Sequence, residues 1–568
     1  MSGGALTDLD EIGYRYYGCQ RLAQAPDTPS GQLRFYNYWV GAYSTPSMAL
    51  RQLEGYWGQE RLDASVQQYY RKWQFKHPGP ADVQTILETH GGEQLDWLFQ
   101  GFIQSTGQQD YFIQTVDTKN GATLKLENKG QVTGPIPVQS ISSMGDTATQ
   151  WVLPSADHTE WSIGLGEADY QQISIDPQHE TLESKRQNNH WRKGLGTWER
   201  PRLRFVTGLK NEQLNDVFVS PFLGYNEDDG VLPGLVLTNR GILPRPFEWY
   251  AAPLFGTISG KLVGTTGFRG RLWNAKSEKK IRELSLFGNL SSFHFQTFAD
   301  AELPLRYVRR LIGVQSVFYP WSDGKWAPKL RLRQLNTQVE DLDFSNEGEL
   351  LGTSERVQNV YEASFRVDSK WVLSPASWSL TAEYADYTDD LNREQDHLKL
   401  VLEGQGKLLY QQEKAFYWRV FAGFFLRNSI ENITFTPAQT FSLFDRAAED
   451  YRFDNLYFGR SATDGLISRQ LGLRAGGFRA PVPASFTVGR SNNRMISTNL
   501  AVDLPFTPAW LPLKPYVDAA TFLAPTFNGE ENQFLWNGGL ALEWLDGKLS
   551  IFLPLAGSTE IMDRLKEQ

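Results

Sequence analysis

Seven histidines, one cysteine and several carboxylate clusters are the residues through which this chain could hold a metal or move a proton. The histidines are His77, His90, His158, His179, His190, His294 and His397. A helical zinc peptidase needs two of them one turn apart, as H-E-x-x-H, so that both rings meet one ion while the glutamate acts as general base. The nearest two, His179 and His190, are too far apart for that, and the motif is absent. Cys19 is the only cysteine, so neither an internal disulfide nor a cysteine-based zinc site can form. Burial preference makes it a small core residue. There is no G-x-S-x-G elbow and no phosphate-binding loop ending in G-K-[ST]. In YNEDDG (225–230) Glu227, Asp228 and Asp229 could hold calcium, but a solvated turn leading into a strand is the better reading.

The background against which these residues act is acidic and rich in rings. A net charge of −9 and the absence of any Lys/Arg run argue against a nucleic-acid partner. Hydrophobic residues at 40% and charged residues at 21% of 568 predict a folded chain of two to four domains. The start, MSGGALTDLDEIGYRYYG, does not read as a signal peptide. The most apolar run, AFYWRVFAGFFL (415–426), is short and broken by Arg419, so no transmembrane helix is expected. Aromatic residues reach 13%, a load that suits strands with large exposed faces or carbohydrate contact.

Three textures follow one another. Residues 1–110 read as helical. Leu50, Leu53 and Trp57 recur at helical spacing before Gly58, and Leu62, Val66, Tyr69 or Tyr70, and Trp73 form a second stripe. After HPGP, Val83, Ile86 and Leu87 make a third face that ends at Gly91 and Gly92, and Leu95, Leu98, Phe99 and Phe102 open another. From 111 to 190 the period becomes two. DYFIQTVD, ATLKLENKG, GPIPVQSI, TQWVLP, EWSIGL and QQISIDP are short alternating runs between turn residues, which predicts a small antiparallel β-sandwich. A linker is expected at 191–215.

From 216 to 568 the alternating runs lengthen: RELSLFGNLSSFHFQ, KLRLRQLNTQVED, SWSLTAEYADY, HLKLVLEGQGKLLY, FYWRVFAGFFLR, MISTNLAVDLP, KPYVDAATFL and FLWNGGLALEW. In SWSLTAEYADY one face carries Trp378, Leu380, Ala382 and Tyr384, the other Ser379, Thr381, Glu383 and Ala385. An apolar face turned to lipid and a polar face lining a lumen is the pattern of an outer-membrane barrel. It places Arg309, Arg331, Arg333 and Arg419 inward beside Asp or Glu, and Tyr417, Trp418, Trp536 and Trp544 in interfacial girdles. At the length of a membrane-crossing strand plus its loop, roughly 12 to 16 strands fit. The fold class is therefore multidomain and mainly β: helical subdomain, small sandwich, large C-terminal antiparallel barrel. A polar, helix-like tail, GSTEIMDRLKEQ, follows.

Four stretches, QRLAQAPDTPS (20–30), YNYWVGAYSTPSMALRQLEGYWG (36–58), YYRKWQFKHPGPADVQ (69–84) and LDWLFQGFIQSTGQQDY (95–111), resemble the C-terminal part of the aminopeptidase N family of zinc metallopeptidases, the gluzincins. PIPVQSI, ISIDP and RQNN resemble the sandwich module that follows in that family. GYNEDDGVLPGLVLTN (224–239) and RPFEWYAAPLFG (245–256) resemble a barrel extension of its bacterial members. The resemblance implies an outer-membrane-anchored zinc peptidase acting on peptide substrates, with its zinc ligands and general base upstream of this chain. By itself the chain would then bind no zinc, be inactive, and supply scaffold and barrel in contact with outer-membrane lipid. The resemblance also implies that Tyr43 stabilises the oxyanion. Thr45 and Pro46 depart from the family's pattern there, which leaves Tyr36 and Tyr38 as alternatives. Two other readings stay open: a non-catalytic outer-membrane barrel, pore or assembly platform, with periplasmic or surface binding domains, and a soluble β protein that binds polysaccharide.

Overall fold

The computed structural model describes the chain except residues 1–8, 118–122, 156–159, 167, 195, 197–200, 206–214, 274–279, 299–302, 322–325, 345–349, 370, 372, 389–392, 413, 430–436, 445–449, 455–475, 480–487, 509, 527–528, 545–548 and 567–568. It divides into two compact units, Met1–Val219 with Asn239–Arg245, and Ser220–Thr238 with Pro246–Gln568.

The first unit begins with helices. Leu9–Cys19 precedes Phe35–Trp39, which runs through a wide turn, Val40–Ser44, into Thr45–Trp57. Gly58, at φ 85°, breaks that helix in a conformation that side chains resist, and Gln59–Trp73 follows. Pro80 opens the next helix, Pro80–Gly91, whose first turn is held by the Gly79 N–H donating to Asp82 Oδ2 at 2.8 Å. Leu53, Trp57, Leu87, Leu95, Leu98 and Phe102 form the buried core between these helices. The expected stripes are buried only in part: Leu53, Trp57 and Leu62 turn inward, whereas Leu50, Val66 and Tyr70 are exposed. Cys19 is half-buried rather than a core residue.

Two antiparallel sheets follow, face to face. One holds Tyr111–Asp117, Thr123–Asn128 and Glu160–Gly164; the other holds Thr147–Val152, Ile136–Ser142, Tyr170–Ile175 and His190–Arg192. Tyr111, Ile113, Leu124 and Leu126 of the first pack on Ile136, Val138, Ile173 and Ile175 of the second. All six runs read from the sequence are strands, and His190–Arg192 is a seventh. Its three residues are too few to show a period. A buried polar seam ties this sandwich to the first helix. The Arg186 guanidinium, 1% exposed, donates to Glu11 and Asp176 and to the Thr181 carbonyl.

The large sheet has 16 strands in sequential order, from Pro201–Phe205 to Leu549–Gly557. From Asn215–Asn226 onward each described pairing is antiparallel, while Pro201–Phe205 lies parallel to Asn215–Asn226. The expected linker therefore holds a strand, although residues 195, 197–200 and 206–214 lie outside the described set. Strands reach 20 residues in Leu350–Ser369, well beyond the roughly 9–11 that cross a membrane. Alternation is as expected. Trp378, Leu380 and Tyr384 are exposed, while Glu383 and Ala385 on the opposite face are 1% and 0% exposed. Ile312, Val314 and Leu332 repeat the exposed apolar face on neighbouring strands, and Arg309 and Arg333 the buried charged one. Apolar outside and charged inside is the inversion that lipid demands, and this is an outer-membrane β-barrel. Among the described residues no helix is long and apolar enough to span a bilayer.

Candidate functional site

The densest chemistry in the molecule lies on the inner face of the barrel. Strand register sets it up. Arg333 of Trp326–Phe344 faces Glu362 of Leu350–Ser369, Glu362 faces Glu383 of Ala376–Thr388, and Glu383 faces Lys399 of Glu394–Gln411. Two carboxylates thus stand opposite one another across a strand pair, an arrangement that destabilises a sheet unless cations intervene. On the wall, Arg333 meets Glu362 through two bonds of 2.8 Å, and Lys399 Nζ lies 3.1 Å from Glu383. His397 adds a ring nitrogen 3.0 Å from Glu383.

The remaining partners come from outside the wall. The connection between strands Lys414–Asn428 and Arg494–Val502 far exceeds the roughly 12–15 residues of an ordinary loop. Its described parts touch strands from Ile281–Phe298 round to Leu513–Thr526, which places them inside the barrel. Residues 451–454, Tyr-Arg-Phe-Asp, each occupy a separate place on the wall. Tyr451 accepts from Lys399 Nζ at 2.8 Å and donates to Glu383. Arg452 lies between the opposed carboxylates, 2.9 Å from Glu362 Oε2 and also paired with Glu383. Phe453 packs on Tyr307 with ring centroids 4.3 Å apart and meets Phe295 edge-on. Asp454 accepts from Arg309 at 2.6 Å and from both terminal nitrogens of Arg333 at 2.7 and 2.8 Å. Phe453 sits at φ 49°, a left-handed conformation unusual for a bulky side chain and sustained by these surrounding contacts.

A second grip holds the same connection further on. The Gly476 and Gly477 carbonyls accept from Ser497 and Asn499 at 2.9 and 3.0 Å. The Arg479 N–H and guanidinium both reach Asp518, at 2.8 and 3.3 Å. Phe441, Leu443 and Phe478 of the connection pack with Phe522, Leu535 and, from the C-terminal helix Thr559–Lys566, Ile561. The described parts of the connection are therefore held by charge-matched and apolar contacts in turn.

The residues singled out from the sequence fall elsewhere, apart from the strand arginines. Arg331, Arg333 and Arg419 pair inward with Glu362 and Glu403, as expected, and Arg309 with Asp454. Tyr43 lies exposed on the turn Val40–Ser44, and Tyr36 and Tyr38 are exposed as well. His77 and His90 are exposed, His179 reaches Glu11, His190 reaches Ser174, and His158 lies outside the described residues. The YNEDDG turn is solvated only at Tyr225 and Glu227. Asp229 is wholly buried and takes hydrogen bonds from Ser259 and the ring of His294, each at 2.6 Å, while Asp228 accepts from Thr297 at 2.8 Å. Ser259, Thr297 and His294, all distant in sequence, close over the two aspartates, which the local sequence could not reveal. Among the described residues no three His, Cys, Asp or Glu side chains are grouped so as to hold a metal.

No family model matches the chain, and no curated protein does. Solved structures that match include CdiB from Acinetobacter baumannii (TM-score 0.29, 9% identity, 61% of this chain and 59% of that one). BamA from Haemophilus ducreyi lacking POTRA domains 1–3 matches with TM-score 0.33 and 13% identity over 61% of this chain and 69% of that one. CdiB from Escherichia coli matches with TM-score 0.32 and 11% identity over 62% and 64%. The chain thus spans under two thirds of the length of both CdiB structures. These findings correct the resemblance to the aminopeptidase N family. The three structures named are CdiB and BamA, not a zinc peptidase, and no sequence relative supports a gluzincin. The peptidase function and its zinc came from that resemblance and fall with it, and the oxyanion role given to Tyr43 has no support beyond it. Short helical stretches rich in Trp, Tyr and Pro are common to many helical layers, which is why they misled.

Proposed function

We propose that this chain is a non-catalytic outer-membrane barrel working as a gated conduit, shut by its own inward-folded connection. The grip of the wall on Tyr451–Asp454 carries this reading. A segment meant only to fill a barrel needs apolar contacts, whereas this one is held by ion pairs that water or a competing charge can replace. The helical and sandwich modules would serve as binding domains outside the bilayer, and the exposed strand faces would contact outer-membrane lipid. Planar-bilayer recording of the full-length chain tests the idea. The native chain should be nearly silent, and Arg452→Ala/Asp454→Ala should show large, long-lived current steps. Silence in both, or equal conductance in both, would refute it.

A further inference from the structure

The stretch YYRKWQFKH (69–77), which closes helix Gln59–Trp73, takes no part in the chemistry of the barrel. Much of it turns away from the core. Val66 and Tyr70, one helical turn apart, are exposed, and Phe75, just beyond the helix end, is 99% exposed at φ 60°. Arg71, Lys72, Lys76 and His77 flank that ring in sequence and are exposed as well. We propose that this helix end is a docking surface for an anionic bilayer. Tyr70 and Phe75 enter the headgroup layer, and Arg71, Lys72 and Lys76 pair with lipid phosphates. The proposal names a partner for the helical module and does not depend on the conduit reading.

Three observations support it. First, a left-handed backbone costs energy at a bulky residue, and inside a fold that cost is normally met by packing of the side chain. Phe75, almost fully exposed, has no such packing among the described residues, so its partner lies outside the chain. Second, residues 64–81 hold Arg71, Lys72 and Lys76 but no Asp or Glu, in a chain whose net charge is −9. None of the three cations is ion-paired among the described residues; Lys76 Nζ donates only to the Lys72 carbonyl, at 2.9 Å. Asp82, the first carboxylate beyond them, is engaged by the Gly79 N–H. Unpaired cations beside exposed rings complement a layer of phosphates over hydrocarbon, where basic groups stay at the surface and aromatic rings lie at headgroup level. Third, a single projecting ring is too small a face for a stable protein complex, whereas a fluid lipid surface closes around whatever enters it. The barrel ties the chain to a bilayer, so even a weak docking surface meets lipid at high effective concentration.

The test uses the full-length chain with Cys19→Ser and Phe75→Cys, the new thiol carrying an uncharged nitrobenzoxadiazole dye in place of the ring. The protein is reconstituted into vesicles that contain doxyl-labelled lipid, which quenches a dye only where the two meet. Quenching should be at least about fivefold stronger in phosphatidylglycerol than in phosphatidylcholine vesicles, and about 0.5 M salt should remove the difference. Adding Arg71→Gln/Lys72→Gln/Lys76→Gln should weaken quenching in phosphatidylglycerol by at least about fivefold. The same dye at Met144→Cys, an exposed site on a turn of the sandwich, should stay unquenched in both lipids. No quenching at position 75, equal quenching in the two lipids, or equal quenching at the two dye positions would overturn the proposal. Quenching that follows protein density rather than lipid charge would assign the surface to a second copy of the chain and overturn it as well. None of these results bears on conductance, so the conduit stands or falls separately.

Discussion

Asp454→Asn separates a gripped segment from one that merely fills space. The Asp454 carboxylate accepts from Arg309 at 2.6 Å and from Arg333 at 2.7 and 2.8 Å, and the two arginine side chains are only 7% and 6% exposed. Asparagine keeps one acceptor oxygen, loses the charge, and turns an NH2 group toward two guanidiniums. Removing one partner of a buried pair costs about 3–5 kcal/mol. Here the loss is smaller, because Arg333 retains Glu362 and Arg309 retains the Arg452 carbonyl at 3.0 Å and Asn289 at 3.1 Å. About 2–3 kcal/mol is expected, and it falls on local opening of the segment, since the wall strands keep their ladders. At about 1.4 kcal/mol per factor of ten, that opens the segment about 30- to 150-fold more often. The reporter is the Phe453 amide, which donates to the Asp450 carbonyl at 3.0 Å. Its hydrogen exchange should accelerate by that factor while amides in strand Leu303–Phe318 are unchanged. An acceleration below about threefold, or an equal one in the strand, would show that the ion pairs do not hold the segment.

Three further perturbations probe the second grip, the lipid face and the first unit. Gly477→Ala puts a methyl group 2.5 Å from Arg419 Nη1 at φ +60°, so the Phe478 amide, bonded to the Leu443 carbonyl, should exchange faster by at least about fivefold. Leu380→Lys places a charge on the exposed face and should sharply lower the yield of heat-modifiable, folded protein in liposome refolding, by up to about 2–4 kcal/mol at mid-bilayer. Thr381→Lys, on the inner face, should be tolerated, and similar yields for the two would refute the assignment of faces. In the first unit, burial and then the nearby Asp110 hold the Glu183 carboxyl well above its ordinary value of 4.5. The folded chain keeps a proton there that the unfolded chain gives up, so the contribution is complete below about pH 4.5 and is lost as pH rises through the raised value. Glu183→Gln keeps an acceptor for the Tyr111 N–H and abolishes that loss. Its thermal stability relative to the native chain should be more favourable at pH 8 than at pH 4, and a pH-independent difference would refute the buried proton.

Much of the wall was legible because a strand writes its two faces into alternate residues. Trp378, Leu380 and Tyr384 against Glu383 and Ala385 needed no knowledge of neighbours, and the inward arginines followed from the cost of charge in lipid. The six sandwich runs were legible for the same reason. What could not be read is whatever depends on residues far apart in sequence. The pairing of Glu362 with Glu383 is a matter of register between strands, and Arg452 finds them from a different connection altogether. Asp228 and Asp229 look like a solvated turn until Thr297, Ser259 and His294 are brought over them. One signal was present and unused: the length of the connection between Asn428 and Arg494, in a chain whose other strands mostly follow each other closely.

That connection also explains why so much charge can sit inside the barrel. A lumen open to water would tolerate Glu362 opposite Glu383 through solvation, and a sealed core would exclude both. The structure takes neither course: the pair is met by Arg333 and Lys399 on the wall and by Arg452 from the inward connection. A wall with matched charges in register, such as Arg333 facing Glu362 repeated around the barrel, would have needed no cation from the connection.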